Sequence, residues 1–166
     1  MAVVADQAGV GVGTLYRHFP TRETLLDALT QRSFELVRDN ATAAESSGES
    51  GLASLDLFLE FAISQRNELV LPLHGGPPAT TAPTLEVRGE VHRLLQRMVD
   101  RGKADGSIRA DATPRDIVMF GALLAQPLPT MPNWDDTCRR LKSVYLDGLA
   151  ARSTDDRQSP ARGNSN

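Results

Sequence analysis

The sequence predicts an all-α protein: a short N-terminal helical unit joined to a larger helical domain. Three observations carry this expectation. Apolar residues recur at three- and four-residue spacing through several long stretches. No stretch alternates apolar and polar residues as a half-buried strand does. Thr, Asn, Gly and Pro stand where helix ends need caps or breaks.

Val4 to Ala8 reads as the end of a helix, with the small and apolar positions 4, 5 and 8 on one face. Gly9 stops it, because glycine takes the left-handed conformation after a helix at little steric cost. A short helix, Gly11 to His18, carries Thr14, Tyr16, Arg17 and His18, and Pro20 follows it. Thr21 is placed to cap a long helix reaching about Ala44, with Glu23 in the first turn where the helix dipole favours negative charge. Leu25, Leu26, Leu29, Phe34, Leu36 and Val37 form its apolar stripe. Residues 45–51 are polar and glycine-containing, the expected domain boundary.

Leu52 to about Val70 is the next helix, apolar around much of its girth and therefore expected at the centre of its domain. Pro72 stops it. Residues 74–83 are rich in breakers but lack the Gly-Lys-Ser/Thr ending of a phosphate cradle. Thr84 is expected to cap a helix to about Ala104, with Val87, Val91, Leu94, Leu95, Met98 and Val99 at helical spacing. Thr113, Pro114 and Asp116 open a helix over 114–126 as cap, first-turn proline and capping-box partner. After an irregular link holding Pro127, Pro129 and Pro132, Asn133 is expected to cap a last helix over 134–151. Cys138, Leu141, Val144, Tyr145 and Leu149 share one face of it. Residues 153–166 show no periodicity and read as a disordered tail.

A chain of 166 residues is one ordinary domain or two small ones sharing an interface. The single Cys138 excludes an internal disulfide, and no Cys/His cluster has metal-site spacing, so no metal or cofactor is expected. Nothing approaches the 18 or so consecutive apolar residues of a membrane span, and the start lacks a basic-then-apolar signal peptide, so the expectation is a cytoplasmic protein without a membrane segment. Three scattered histidines and one cysteine without catalytic spacing argue against an enzyme. His74 is read as an uninvolved loop residue, and His92 as solvated or core, with a cavity-facing position as the alternative. The net charge of −3 is no argument about DNA, because only a local patch has to be positive.

Helix, glycine turn, short polar helix, proline and capped long helix is the layout of a helix-turn-helix DNA reader. The order of residues goes further. Ala-Gly-Val-x-x-Gly-Thr-Leu-Tyr-Arg-His-Phe-Pro-Thr-Arg-Glu, at Ala8 to Glu23, closely resembles the DNA-binding domain of TetR-type (tetracycline-repressor-like) transcriptional regulators. The resemblance covers the start of the chain alone.

This resemblance implies roles. Gly11 and Val12 open the reading helix, and Val12 and Thr14 face the groove, where a methyl meets a thymine methyl and a hydroxyl meets base or phosphate. Tyr16, His18 and Arg22 match phosphate-contacting positions, with Arg17 a contact of the same kind. The family often has a polar pair such as Ser-Lys where this chain has Gly11-Val12, which leaves Thr14 and DNA shape with more to do. In similar relatives another helix and the start of the next precede Val3. The resemblance therefore implies that either the start is assigned too late or the protein is truncated, with roughly 20 to 30 residues missing, so that Leu15, Leu25 and Leu29 lose a packing partner and expose apolar surface.

A single reading helix buries too little surface to select a site, whereas two copies about 34 Å apart suffice, and that demands a two-fold homodimer. The best dimer surface is helices 114–126 and 134–151, and relatives are similarly regarded as dimers through a four-helix bundle. Helices 52–70, 84–104 and 114–126 are candidate walls of an apolar cavity, with Phe58, Phe61, Leu94, Met98 and Phe120 as ligand-contacting candidates. The expected organisation is a DNA-binding domain with its connecting helix at 1–44, an effector-binding and dimerisation domain at 45–152, and the tail at 153–166. The expected function is a regulator, a repressor released from its double-stranded operator by an unknown small apolar effector. The alternative is a helical dimer that binds a small molecule or a protein but no DNA in this form.

Overall fold

The computed structural model describes residues 1–47, 49–126, 128 and 130–151. Among them run seven α-helices: α1 (Ala2–Gln7), α2 (Val12–His18), α3 (Arg22–Glu45), α4 (Gly51–Ser64), α5 (Ala82–Ala104), α6 (Pro114–Leu124) and α7 (Trp134–Leu149). Two 3-10 turns, Arg66–Glu68 and Pro72–His74, lie between α4 and α5. The described residues contain no strand, and a lone antiparallel pairing joins Ile108 to Ala150. The tail expected over 153–166, Pro127, Pro129 and the His74 side chain lie outside the described part.

The turn between α1 and α2 is built as its glycine requires. Gly9 takes φ +67°, the Gly9 amide donates to Asp6 O at 3.1 Å, and the Val10 amide reaches back to Ala5 O at 3.0 Å. These are the two bonds of a Schellman motif, which satisfies the last carbonyls of α1 while reversing the chain. The start of α3 carries a reciprocal cap: Thr21 Oγ1 accepts from the Thr24 amide and Thr24 Oγ1 from the Thr21 amide, each at 3.2 Å. At α6 the expected box forms, with the Thr113 amide donating to Asp116 Oδ2 at 2.8 Å.

Three element expectations need correction. The helix read as Leu52 to Val70 ends at Ser64, because the chain tightens into the 3-10 turn at Arg66–Glu68 and then extends, with Leu69 at φ −94° and ψ 121°. Thr81, not Thr84, caps α5, its hydroxyl accepting from the Thr84 amide at 3.4 Å. Pro83 thus sits inside the first turn, where its missing N–H goes unused. Asn133 precedes α7 but does not cap it through its side chain. Its φ of 55° is left-handed, whereas a side-chain N-cap needs extended backbone.

The core gathers on α4, which packs against α3, α5, α6 and α7. Leu55, Leu59 and Ile63 are fully buried there, opposite Leu95, Met98 and Val99 of α5 and Ile117 and Leu124 of α6. Each such side chain stabilises the fold by about 1.5–3 kcal/mol. The α4 N-terminus is fastened to the end of α5: the Gly51 amide donates to Asp105 Oδ2 at 2.9 Å and the Leu52 amide to Ser107 Oγ at 3.2 Å. Hydrogen bonds from the Ser107 side chain and from the Gly51 amide hold the Asp105 carboxyl below its ordinary pKa.

The N-terminal end has a smaller core. α1 and α2 pack together, and Ala5, Leu15 and Leu25 are buried. The expected exposure of Leu15 and Leu25 is therefore not seen, while Leu29 is 40% exposed, as are neighbouring Val3 and Val4 to a greater degree.

Candidate nucleic-acid interface and ligand cavity

α2 turns one side inward through Leu15 and leaves the rest in solvent. Gly11, Val12, Thr14, Tyr16, Arg17 and His18 are all exposed, and so is Arg22 at the first position of α3. Tyr16 is 48% exposed although it is a large aromatic ring. Arg17 and His18 occupy the last turn of α2, where the helix dipole favours positive charge. Arg32 lies 3.8 Å from Glu35, and Arg38 lies 2.7 Å from Asp39 and 3.7 Å from Glu90. Among the described residues, Arg17 and Arg22 form no ion pair. The arginines higher on α3 are thus engaged by carboxylates, whereas Arg17 and Arg22 are not paired directly. Arg22 nevertheless helps, after hydrogen bonds from the Glu23 amide and from Thr21, to lower the pKa of adjacent Glu23.

α3 continues from this surface into the larger domain. Its 24 residues span about 36 Å at the α-helical rise. Phe34 and Val37, partway along it, line a cavity of about 900 Å³. The opposite walls are Phe58, Phe61 and Ala62 of α4, Leu85, Gly89 and Val91 of α5, and Val118, Gly121 and Ala122 of α6. The segment between α4 and α5 closes one side with Leu69, Leu71 and Leu73.

Three polar contacts hold that closing segment. The Val70 amide donates to Ser33 Oγ of α3 at 2.8 Å, and Ser33 Oγ donates in turn to Leu29 O at 2.8 Å. Gln126 Nε2 donates to Leu73 O at 2.8 Å. Arg66, buried with its guanidinium 6.0 Å over the Trp134 ring, lies 3.0 Å from Asp135 Oδ1. The last contact is ionic and not a directed hydrogen bond, since neither Arg66 Nη has an aligned acceptor among the described residues. Arg66 Nε does donate to Ile63 O at 3.0 Å.

The sequence-derived candidates separate on this cavity. Phe58 and Phe61 stand in its wall. Leu94, Met98 and Phe120 do not: Leu94 and Met98 face the helical core, Met98 with no exposure at all. Phe120 stacks on Tyr145 of α7, with ring centroids 3.8 Å apart and planes 9° from parallel. Their stripes do point inward, but toward α4 and α7 instead of the cavity. His92, read as solvated or core with a cavity-facing position as the alternative, is exposed and lines the cavity. That Phe34, Val37, Leu69 and Leu71 line the cavity escaped the sequence reading, which placed Phe34 and Val37 only in an apolar stripe, because their partners lie far away in the chain.

On the far side, α6 exposes Met119 and Leu123, and α7 exposes Leu141 and Val144, with Leu123 at 63% and Val144 at 62%. Spacing of four and of three residues puts each pair on one helix face. Among the described residues, no group of three or more His, Cys, Asp or Glu converges as a metal site, and no helix is long and apolar enough to cross a membrane.

Comparison with known proteins follows this geometry. Residues 1–29 match the family of bacterial regulatory proteins of the tetR type. No protein of curated function matches the chain in sequence. Among solved structures, the chain is similar to a bacterial regulatory protein of the tetR family from Rhodococcus RHA1, at 16% identity and a TM-score of 0.66, covering 92% of this chain and 86% of that one. The ketosteroid transcriptional regulator KstR2 of Mycobacterium tuberculosis aligns at 17% identity and a TM-score of 0.68, covering 90% and 83%. The TetR transcriptional regulator SCO0520 from Streptomyces coelicolor aligns at 27% identity and a TM-score of 0.60, covering 90% and 86%. Residues 1–29 thus match the tetR family, and the chain as a whole is similar in fold to solved TetR-family regulators: all-α, with an N-terminal helix-turn-helix.

Proposed function

We propose that this protein is a dimeric transcriptional repressor that reads double-stranded DNA through α2 and leaves its operator when a small molecule fills the cavity. The observation that carries this reading is the continuity of α3. Its N-terminus bears Arg22 beside the exposed face of α2, and its middle supplies Phe34 and Val37 to the cavity wall.

In this mechanism Val12 and Thr14 meet base edges, while Tyr16, Arg17, His18 and Arg22 hold phosphates and Gly11 lets the helix start approach closely. The hydrogen bond from the Val70 amide to Ser33 ties α3 to the cavity's closing segment. A ligand that pushes on Phe34, Val37 or Leu69 therefore tilts α3 as a rod, and the tilt is felt at Arg22. Two readers must keep a separation of about 34 Å, so a small tilt in each protomer is enough to lose the second half-site. A coupling of about 1–3 kcal/mol makes a useful switch. The apolar faces of α6 and α7 that carry Leu123 and Val144 support the pairing of two protomers.

The test is a salt-series titration of the chain against DNA from just upstream of its own gene, with Tyr16→Ala and Arg22→Ala beside it. Each variant is expected to bind less tightly and, for Arg22→Ala, to flatten the salt slope by about one unit. Unchanged affinity in both variants sinks the DNA-binding role and leaves a helical dimer that binds a small molecule.

A further inference from the structure

The polar side chains around the cavity are of one kind. Apart from apolar residues and glycine, its lining consists of Arg88, His92 and Arg93 from α5 and Arg115 from the first turn of α6. No Asp, Glu, Asn, Gln, Ser or Thr is among them. Elsewhere in the larger domain several arginines are paired, although Lys103 and Arg140 form no ion pair among the described residues. Arg97 is paired with Glu45, Arg109 with Asp111 and Arg139 with Glu60. Among the described residues, Arg88, Arg93 and Arg115 make neither an ion pair nor a side-chain hydrogen bond. The nearby carboxylate of Glu90 is turned to Arg38, at 3.7 Å.

We infer that the cavity takes an amphipathic anion, a molecule with an apolar body and a single carboxylate head, and that Arg88, Arg93 and Arg115 select the head. This rests on the reading of the cavity as a ligand site. The volume of about 900 Å³ lies in the upper part of the range, roughly 300–1,000 Å³, that small-molecule sites occupy. The body is placed by Phe34, Phe58, Phe61 and Leu69, which offer a ligand no hydrogen bond. The head is placed by charge. Arg88, Arg93 and Arg115 are exposed at the rim of the space, so a cation would face three guanidinium groups with no carboxylate in the lining to offset them, and an uncharged ligand would gain nothing from them. A carboxylate instead receives the planar fork of a guanidinium in two parallel hydrogen bonds.

Gly89 fits this arrangement. It lies one helical turn before Arg93, and a Cβ there would stand 3.4 Å from Arg93 Nη1. The Arg93 guanidinium thus folds back along α5 beside Gly89, and both residues line the cavity.

Three probes with one tail and different heads test the inference: dodecanoate, dodecan-1-ol and dodecylammonium. Each is titrated below its micellar concentration into the full chain, with displacement of the neutral dye Nile red as readout. Dodecanoate is expected to bind at least about tenfold tighter than the alcohol, and dodecylammonium weakest of the three. The triple variant Arg88→Gln, Arg93→Gln, Arg115→Gln should bring dodecanoate down to the affinity of the alcohol and leave the alcohol and Nile red unchanged. Single substitutions are expected to cost roughly threefold each. Equal binding of dodecanoate and the alcohol, or a preference that survives the triple variant, overturns the inference while leaving the cavity as a ligand site. If the dye and all three probes fail to bind, the reading of the cavity itself falls with it.

Discussion

Gly51 and Gly102 meet backbone to backbone: a Cβ on Gly51 would stand 2.2 Å from the Gly102 amide nitrogen and 2.5 Å from Met98 O. A Cβ on Gly102 would in turn stand 2.3 Å from Ile108 Cδ1. The N-terminus of α4 and the last turn of α5 thus cross where neither carries a side chain, which lets Asp105 and Ser107 reach the first amides of α4. Gly51→Ala is expected to destabilise the fold by about 3 kcal/mol, because the clash is with helix backbone that cannot yield by a rotamer change. A urea midpoint unchanged by this substitution would show that the crossing has slack.

Gly13 poses the opposite case. It lies within α2, is exposed, and has nothing within 4 Å of an added Cβ. Gly13→Ala should stabilise the free protein by roughly 0.5–1 kcal/mol through helix propensity. If α2 lies in a major groove, the same methyl meets DNA. Higher thermal stability with weaker operator binding is the expected pair of results, and unchanged affinity would place Gly13 away from the DNA.

Ser33 is 2% exposed and is the partner of the Val70 amide. Ser33→Ala leaves that N–H without its acceptor, at a cost of about 1–2 kcal/mol. Amide hydrogen exchange should speed up locally at residues 69–73 while the α4–α5 core stays protected. Uniform acceleration would mean that the closing segment is not a separately held wall.

Glu60 joins α4 to α7, with Lys142 Nζ 2.7 Å from its Oε2 and Arg139 Nε 2.9 Å from its Oε1. Burial pushes the Glu60 carboxyl up, but the hydrogen bonds from Lys142 and Arg139 outweigh it and leave the pKa below the ordinary value. Burial also lowers Lys142, and its hydrogen bonds to Asp56 and Glu60 outweigh that and leave it raised. A depressed carboxylate stabilises the fold above its unfolded pKa of about 4.3 and loses that contribution as pH falls through the folded value. A raised ammonium stabilises below its unfolded pKa of about 10.4 and loses that contribution as pH rises through the folded value. Tyr145, pushed up to about 12 by burial, acts in the same alkaline direction. Lys142→Met should therefore cost about 1 kcal/mol at pH 7, after allowance for solvent screening, and close to nothing at pH 3. An equal cost at both pH values in urea titrations would assign the loss to packing of the lysine stem.

Most of the secondary structure could be read in the chain, because caps and breakers act locally. Gly9, Thr21 and the Thr113-Pro114-Asp116 set each stand where the backbone needs them. The errors came where local signals compete. Thr81 and Thr84 are both plausible caps, and the hydroxyl–amide geometry selects Thr81. The end of α4 carries no strong breaker before Pro72, so the exit from the helix at Ser64, followed by buried Arg66 against Trp134 and Asp135 from far along the chain, has no local signal.

By itself the sequence determined the all-helical class, the glycine turn and the polar short helix that presents Tyr16, Arg17 and His18. Those features follow from periodicity and from allowed φ angles within a few residues. The tertiary structure alone decided which inward faces meet a neighbour and which meet a void. Met98 and Phe61 sit on equally apolar stripes, yet one is sealed in the core and the other lines the cavity. The convergence of Arg88, Arg93 and Arg115 on that space was likewise hidden. A helical stripe tells which side turns inward, whereas the packing of distant helices sets what stands across from it.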